Sequence, residues 1–362
     1  MRVMFSTSPG FGHFLPVVPL AWAARAAGHE VLVAATGAAL QASGRAGLPA
    51  VDVRPGPRSE RGPVTSALGC GTLPALQVAM PDDRMVARMI SAVESWQPDV
   101  VVTEFNDFMA PTAAALRSIP VVLHGLGLLH TGSTAFGPPP PVASAFERLG
   151  VRVAPPAAAA VVDTCPPSMR DPDRPAAWPM RYVPYCGGGD LPPWLLEPAS
   201  SVRVCVTLGT VVPAIAAIDE LTTVIDAVGG LDAEVVLVLG DVDPTPLGPL
   251  PGNVRPTAWL PLSELLPTCA AIVHHGGAGT TMTAVAAGVP QLILPYREWE
   301  AVVRRGIGLA LMPGELSQLG IQRGVGRLLR DPEFRVVADE VRHENEAQPS
   351  PADVIGLVER LL

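Results

Sequence analysis

The sequence predicts an α/β protein built from two doubly wound domains that face each other across a cleft. Three observations point there. Short apolar runs of strand length alternate with stretches of helical spacing, which is the pattern of a parallel sheet covered on both faces. A stretch rich in Pro and Gly, "YVPYCGGGDLPPWLLEPASS" (182–201), interrupts that alternation. Beyond it a second series opens as the first does, with a strand, then glycine, then hydroxyl residues. At 362 residues, 48% hydrophobic and 16% charged, the chain is long enough for two sizeable cores.

The first 36 residues read as a βαβ unit. "RVMFS" is a strand, "TSPGFGH" is turn chemistry, "PVVPLAWAARAAGH" has helical spacing closed by Gly28, and "EVLVAAT" is a strand again. Further units follow: the strand "PDVVVTEF" (98–105), the helix "APTAAALRS" and the strand "IPVVLHG" (119–125). The second series runs through the strand "VRVCVTLGT" (202–210), the helix "AIDELTTVIDAVGGL" and the strand "AEVVLVLG". It continues with "NVRPTAWLP", the short helix "LSELLPTC", the strand "AAIVHH", a helix over 280–287 and the strand "PQLILP". The expected division is an N-terminal domain over 1–185, a linker over 186–201, a C-terminal domain over 202–345, and a tail over 346–362 that packs back on the N-terminal domain.

Composition excludes several function classes. A net charge of −9, with no basic block, disfavours nucleic acid, because backbone binding needs a positive face. Cysteines 70, 165, 186, 205 and 269 are scattered and form no CxxC, so neither a disulfide framework nor a zinc site is expected. Apolar stretches end short of a membrane span and the first residues lack the layout of a secretion signal, so the expected location is the cytoplasm.

The chemistry concentrates in "HHGGAGTT" (274–281), between a strand and a helix. Ligands of open parallel sheets bind beyond the carboxyl ends of the strands, where helix N-termini offer free N–H groups and a positive dipole end to an anion. Gly276, Gly277 and Gly279 allow close approach, Thr280 and Thr281 add donors, and His275, left beside the loop while His274 turns inward, suits a phosphate oxygen. A P-loop is excluded, since no GKS or GKT follows the glycines and the chain has no lysine. The dinucleotide fingerprint fails as well. Leu15 replaces the third glycine of "GFGHFL", and the second strand ends without an acidic residue.

"HHGGAGTTMTAVAAGVPQLILP", preceded by "WLPLSELLPTCAAIV", together with "GFGHFLPVVPLAWAARAAGHEVLVAA" and "VTLGT", resembles the bacterial natural-product glycosyltransferases of the GT-B fold, which use nucleotide-activated sugars. Residues 52–95 and 130–180 carry none of the resemblance. It implies two Rossmann-like domains, donor bound mainly by the second and acceptor by the first. Carried onto this chain, it implies that Trp259, with the adjacent Leu260, meets the nucleobase. The diphosphate falls to His275, Gly277, Ala278, Gly279, Thr280 and Thr281, flanked by Thr207, Gly209 and Thr210. The family's Asp-Gln pair for sugar hydroxyls is missing. Glu298 and Glu300 stand there instead, compatible with a deoxysugar and with the dTDP-deoxysugars such relatives use.

For the base, His13 leads. It follows the first glycine loop, and an imidazole suits proton abstraction near neutrality; a structural reading has it capping or orienting the helix that begins at Pro16. A carboxylate should orient the ring, with Asp107 the first choice and Glu104 the second, and either also suits a helix cap. Attack by the activated acceptor would invert the anomeric carbon. With a helix end and His275 stabilising the departing diphosphate, and no acidic DxD pair, no metal and no cofactor are expected. Phe11, Phe105, Phe108, Met109, His124 and the segment from Met80 to Met89 are candidates for a hydrophobic acceptor pocket. Alternatives remain: an epimerase, or a silent relative that stabilises a partner transferase. A homodimer or a helper protein stays open.

Overall fold

The computed structural model describes residues 1–54, 81–128, 140–151, 157–209, 218–240, 245–294 and 300–362. They build two parallel sheets. The first holds β1 (Arg2–Ser6), β2 (Glu30–Ala35), β3 (Ala50–Asp52), β4 (Val100–Thr103), β5 (Val121–His124), β6 (Ala160–Asp163) and β7 (Trp178–Pro179), in the order β3-β2-β1-β4-β5-β6-β7. The second holds β8 (Arg203–Thr207), β9 (Glu234–Val238), β10 (Val254–Thr257), β11 (Ala271–His274), β12 (Gln291–Ile293) and β13 (Gly308–Ala310), in the order β10-β9-β8-β11-β12-β13. In each sheet the order reverses direction beside its first strand, which places a switch point between β1 and β4 and another between β8 and β11.

The strands are β-branched and apolar because both faces are covered. Val3 and Phe5 of β1 pack on the helix Val18–Ala26, while Met4, pointing the other way, joins Met89 and Ala113 from the helices Asp83–Trp96 and Met109–Ala115. In the second sheet Val204 and Val206 face the helices Ile218–Gly229 and Gln318–Arg330, and Cys205 faces Leu265 and Ala284.

Several boundaries differ from the sequence reading. The run expected as one helix from Pro16 is two pieces, a 3-10 turn at Leu15–Val17 and Val18–Ala26, and the glycine turn expected before it holds a turn of helix at Phe11–Phe14. Pro16 and Pro19 lack the N–H groups a continuous helix would use, so the chain re-forms its ladder around each. The helix expected from residue 280 begins at Ala278, with Gly277 as its N-cap. Strands β3, β6, β7 and β13 have no counterpart in the sequence reading. They are two to four residues long and lie toward the sheet edges, where little periodicity can accumulate.

The domains are joined through buried contacts. Cys165 and Met169 from the first half meet Met282, Val302 and Val341 from the second. Within this seam Tyr182 and Asn345 exchange hydrogen bonds: the Tyr182 N–H donates to Asn345 Oδ1 at 2.8 Å, and Asn345 Nδ2 donates to the Tyr182 carbonyl at 3.0 Å. The C-terminal helix Pro351–Glu359 inserts Val354, Ile355 and Val358 into the core of the first sheet. Among the described residues no helix is long and apolar enough to cross a membrane.

Candidate active site

The two switch points face one another, with Phe11 of the first domain meeting Trp259 of the second at 5.5 Å between ring centroids. On the first side stands His13, inside the Phe11–Phe14 turn and 13% exposed at its side chain. Because that turn begins at Phe11, His13 cannot cap a helix starting at Pro16. Its Nδ1 lies 3.3 Å from Glu104 Oε2, an electrostatic contact rather than a well-aligned hydrogen bond.

Glu104 is wholly buried just beyond β4. Its Oε1 accepts the Ser8 N–H at 2.9 Å and its Oε2 the Asn106 N–H at 2.7 Å. Burial alone would raise the carboxyl, but the His13 contact and the two backbone donors outweigh it and hold the group below its usual range. The site therefore pairs an ionised carboxylate with an imidazole at the mouth of the cleft. Such a pair can accept a proton from a hydroxyl group and stabilise the imidazolium formed.

Asp107, expected as the leading partner of His13, does something else. Its Oδ1 accepts the Met109 N–H at 3.0 Å, bracing the start of the helix Met109–Ala115, and its Oδ2 accepts from Thr103 Oγ1 at 3.3 Å. Burial raises its pKa to about 6, with the Glu104 charge adding to it. Spacing could not separate the two acids, since both follow the same strand; only the path of residues 104–107 does.

Phe105 lies 6.5 Å from the His13 ring, ring centre to ring centre. The other acceptor candidates are placed less openly. Phe108 and Met109 pack on clusters around Val86 and Phe146, and Met89 is fully buried. His124 is buried as well. Its Nδ1 contacts the Gly125 carbonyl at 2.7 Å, and burial pulls its pKa down to about 4.

On the second side His275 follows β11 and lies in a slot between two glycines. A Cβ on Gly209, which has φ +71°, would come within 2.3 Å of its ring, and one on Gly277 within 2.5 Å. The bare Gly277 thus makes room for an imidazole from its own loop. Gly279 is the open one, its nearest neighbour for an added Cβ being Tyr182 Oη at 4.0 Å. The helix Ala278–Ala287 starts here, and its first N–H groups, on Ala278, Gly279 and Thr280, point out of the N-terminus.

Thr281, expected as a donor at the loop, is fully buried, and its N–H is spent on the Gly277 carbonyl at 2.9 Å. Thr207 is buried with its hydroxyl accepting the Gly209 N–H at 3.2 Å, so it braces the β8 turn rather than reaching out of it. Leu260 is a core residue, and Trp259 is half-buried with its indole N–H donating to the Cys186 carbonyl at 3.0 Å. Glu300 is exposed at the first position of the helix Glu300–Arg305. Met80, Thr210 and Glu298 lie outside the described residues.

One participant escaped the sequence reading. Gln291 Oε1 lies 2.9 Å from His274 Nε2. The signal was present: a single amide inside the apolar run "GVPQLILP" needs a buried partner.

Comparison with known proteins shows the family and the fold. The N-terminal domain of the erythromycin biosynthesis protein CIII-like family matches residues 65–209 and its C-terminal domain residues 222–361. The L-demethylnoviosyl transferase of Streptomyces niveus is 37% identical, over 98% of this chain and 96% of its own. Among solved structures, the glycosyltransferase SnogD from Streptomyces nogalater superposes with a TM-score of 0.81 at 36% identity, covering 100% of this chain and 99% of that one. The glycosyltransferase VinC in complex with dTDP gives 0.80 at 30% identity, again over 100% and 99%. This chain accordingly belongs to the erythromycin biosynthesis protein CIII-like family and is a bacterial natural-product glycosyltransferase of the GT-B fold.

Proposed function

We propose that the enzyme moves a deoxysugar from a dTDP-sugar to a hydrophobic aglycone, with inversion at the anomeric carbon and without a metal. The observation that carries this is the opposition of two chemistries across one cleft: the His13–Glu104 pair on one switch point, and His275 beside a helix N-terminus on the other. In this reading His13 removes the proton from the acceptor hydroxyl as its oxygen attacks the anomeric carbon from the face opposite the leaving group. Glu104 stabilises the resulting imidazolium and supplies no proton itself.

The departing diphosphate takes up negative charge as the glycosidic bond breaks. Donors and a helix dipole already aimed at that position stabilise the transition state without reorganising. His275 and the N–H groups of Ala278, Gly279 and Thr280 fill this role, and Trp259 borders the nucleobase. The dTDP in the VinC complex supports dTDP as the nucleotide. Phe105, beside His13, and Phe11, against Trp259, provide the apolar surface for an aglycone.

The test is calorimetric titration with dTDP, UDP and NAD in the presence of a chelator and then with Mg²⁺. A panel of dTDP-deoxysugars is then offered with aromatic aglycones, and the anomeric configuration of any product is read by NMR. Metal-independent preference for dTDP and an inverted product are expected. Failure to bind dTDP, or a retained configuration, would overturn the proposal.

A further inference from the structure

The donor loop is shaped by a residue that does not face the cleft. His274 is the last residue of β11, fully buried, in register with Thr207 of β8 and Ile293 of β12. Its Nδ1 accepts the N–H of Gly276 at 3.1 Å, and that N–H belongs to a buried residue at φ +83° in the tightest part of the loop. A nitrogen that accepts cannot also carry the proton, so the proton sits on Nε2, which donates to Gln291 Oε1 at 2.9 Å. The Gln291 amide is thereby oriented, and its Nε2 donates onward to the Thr281 carbonyl at 3.4 Å. Two points of the loop and helix start, residues 276 and 281, are tethered to the same imidazole–amide pair.

We infer that His274 is a positioning residue for donor binding: a neutral imidazole, fixed in the Nε2–H form by Gln291, which holds Gly276 and so aims the first N–H groups of the helix Ala278–Ala287 at the diphosphate. This rests on the reading of that loop as the diphosphate site. Its surroundings keep the ring neutral, burial first and the neighbouring His275 second, pulling the pKa to about 3. Both neighbours are arranged for one proton count and one tautomer, as loop positioning requires and bulk packing does not.

Amide side chains separate the two nitrogens. Asn places its oxygen near Nδ1 and keeps an acceptor for Gly276, whereas Gln reaches toward Nε2 and leaves the Gly276 N–H without one. Full-length His274→Asn and His274→Gln proteins are titrated with dTDP and with thymidine. The expected result is dTDP affinity within about threefold of wild type for Asn and weakened about tenfold or more for Gln, with thymidine affinity changed in neither. Equal dTDP affinity in the two variants, the reverse order, or a parallel loss of thymidine binding would overturn the inference. A second measurement needs no ligand: ¹⁵N imidazole shifts of histidine-labelled wild-type protein at pH 7, with His274 assigned by its substitution. A protonated Nε2 and a bare Nδ1 are expected, and the opposite tautomer or an imidazolium refutes the relay. Wild-type protein that shows this tautomer but binds no dTDP would sink the proposed function and leave the relay standing.

Discussion

Replacing Glu104 by Gln removes one negative charge 3.3 Å from His13 Nδ1 and changes little else in shape. At that distance the attraction for an imidazolium is about 5 kcal/mol with an effective dielectric near 20 and about 1.3 kcal/mol in bulk water. If His13 takes a proton in the transition state, the loss falls on the barrier, and each 1.36 kcal/mol is about tenfold in rate. Full burial of Glu104 favours the upper part of a range from about tenfold to several thousandfold in kcat. The amide also leaves one of the Ser8 and Asn106 N–H groups without an acceptor, a stability cost of about 1–3 kcal/mol. The assay is single-turnover transfer with donor saturating, alongside a dTDP titration and a thermal melt. The expected variant is folded, binds dTDP as wild type and transfers slowly. A folded variant with a transfer rate within threefold of wild type would refute the role of Glu104, and a fall in dTDP affinity as large as the fall in rate would show that the carboxylate acts on the whole cleft instead.

Gly277→Ala has no backbone strain to overcome, since its φ is −67°, but its methyl would meet the His275 ring at 2.5 Å. A cost of about 1–3 kcal/mol and weaker dTDP binding are expected, and unchanged dTDP affinity by calorimetry would place the imidazole outside that slot. Gly209→Ala meets the same ring and adds about 1–2 kcal/mol for its left-handed backbone, so in a denaturant melt it should be the less stable of the two. The buried neutral His124 and His274 refuse protons that the unfolded chain accepts below about pH 6.5, so stability should fall as pH drops from 6.5 toward 4, by up to about 1.4 kcal/mol per pH unit for each. Asp107 works in the opposite sense below about pH 6, because the folded state holds a proton the unfolded chain has released; Asp107→Asn should therefore steepen the acid loss measured by urea unfolding, and an unchanged slope would count against its raised pKa. Ile355→Ala, in the C-terminal helix, should destabilise the N-terminal domain by about 2–5 kcal/mol, read as loss of protection on β1 amides in hydrogen exchange.

The sequence alone determined the two doubly wound halves and the glycine turns at their strand ends, because parallel strands buried on both faces must be apolar throughout, and because glycine before a helix has a backbone meaning that needs no tertiary context. It also put His13 and His275 at the two strand ends, each a polar ring beside glycine. What it left undecided were choices among near neighbours. Glu104 and Asp107 follow the same strand and are equally suited to a histidine by composition; the turn through Asn106 sends one to His13 and folds the other back as a brace for the next helix. Gly277 and Gly279 are interchangeable in a motif, yet one is bare to admit the His275 ring and the other stands open. Thr280 and Thr281 are adjacent, but a helix turns successive residues by about 100°, so one stays partly exposed and the other is buried in the core. Direction is a property of the folded backbone. A pattern of residue types can name the groups at a site, but which of them point into it depends on where the chain crosses from strand to helix, and packing settles that crossing to within a single residue.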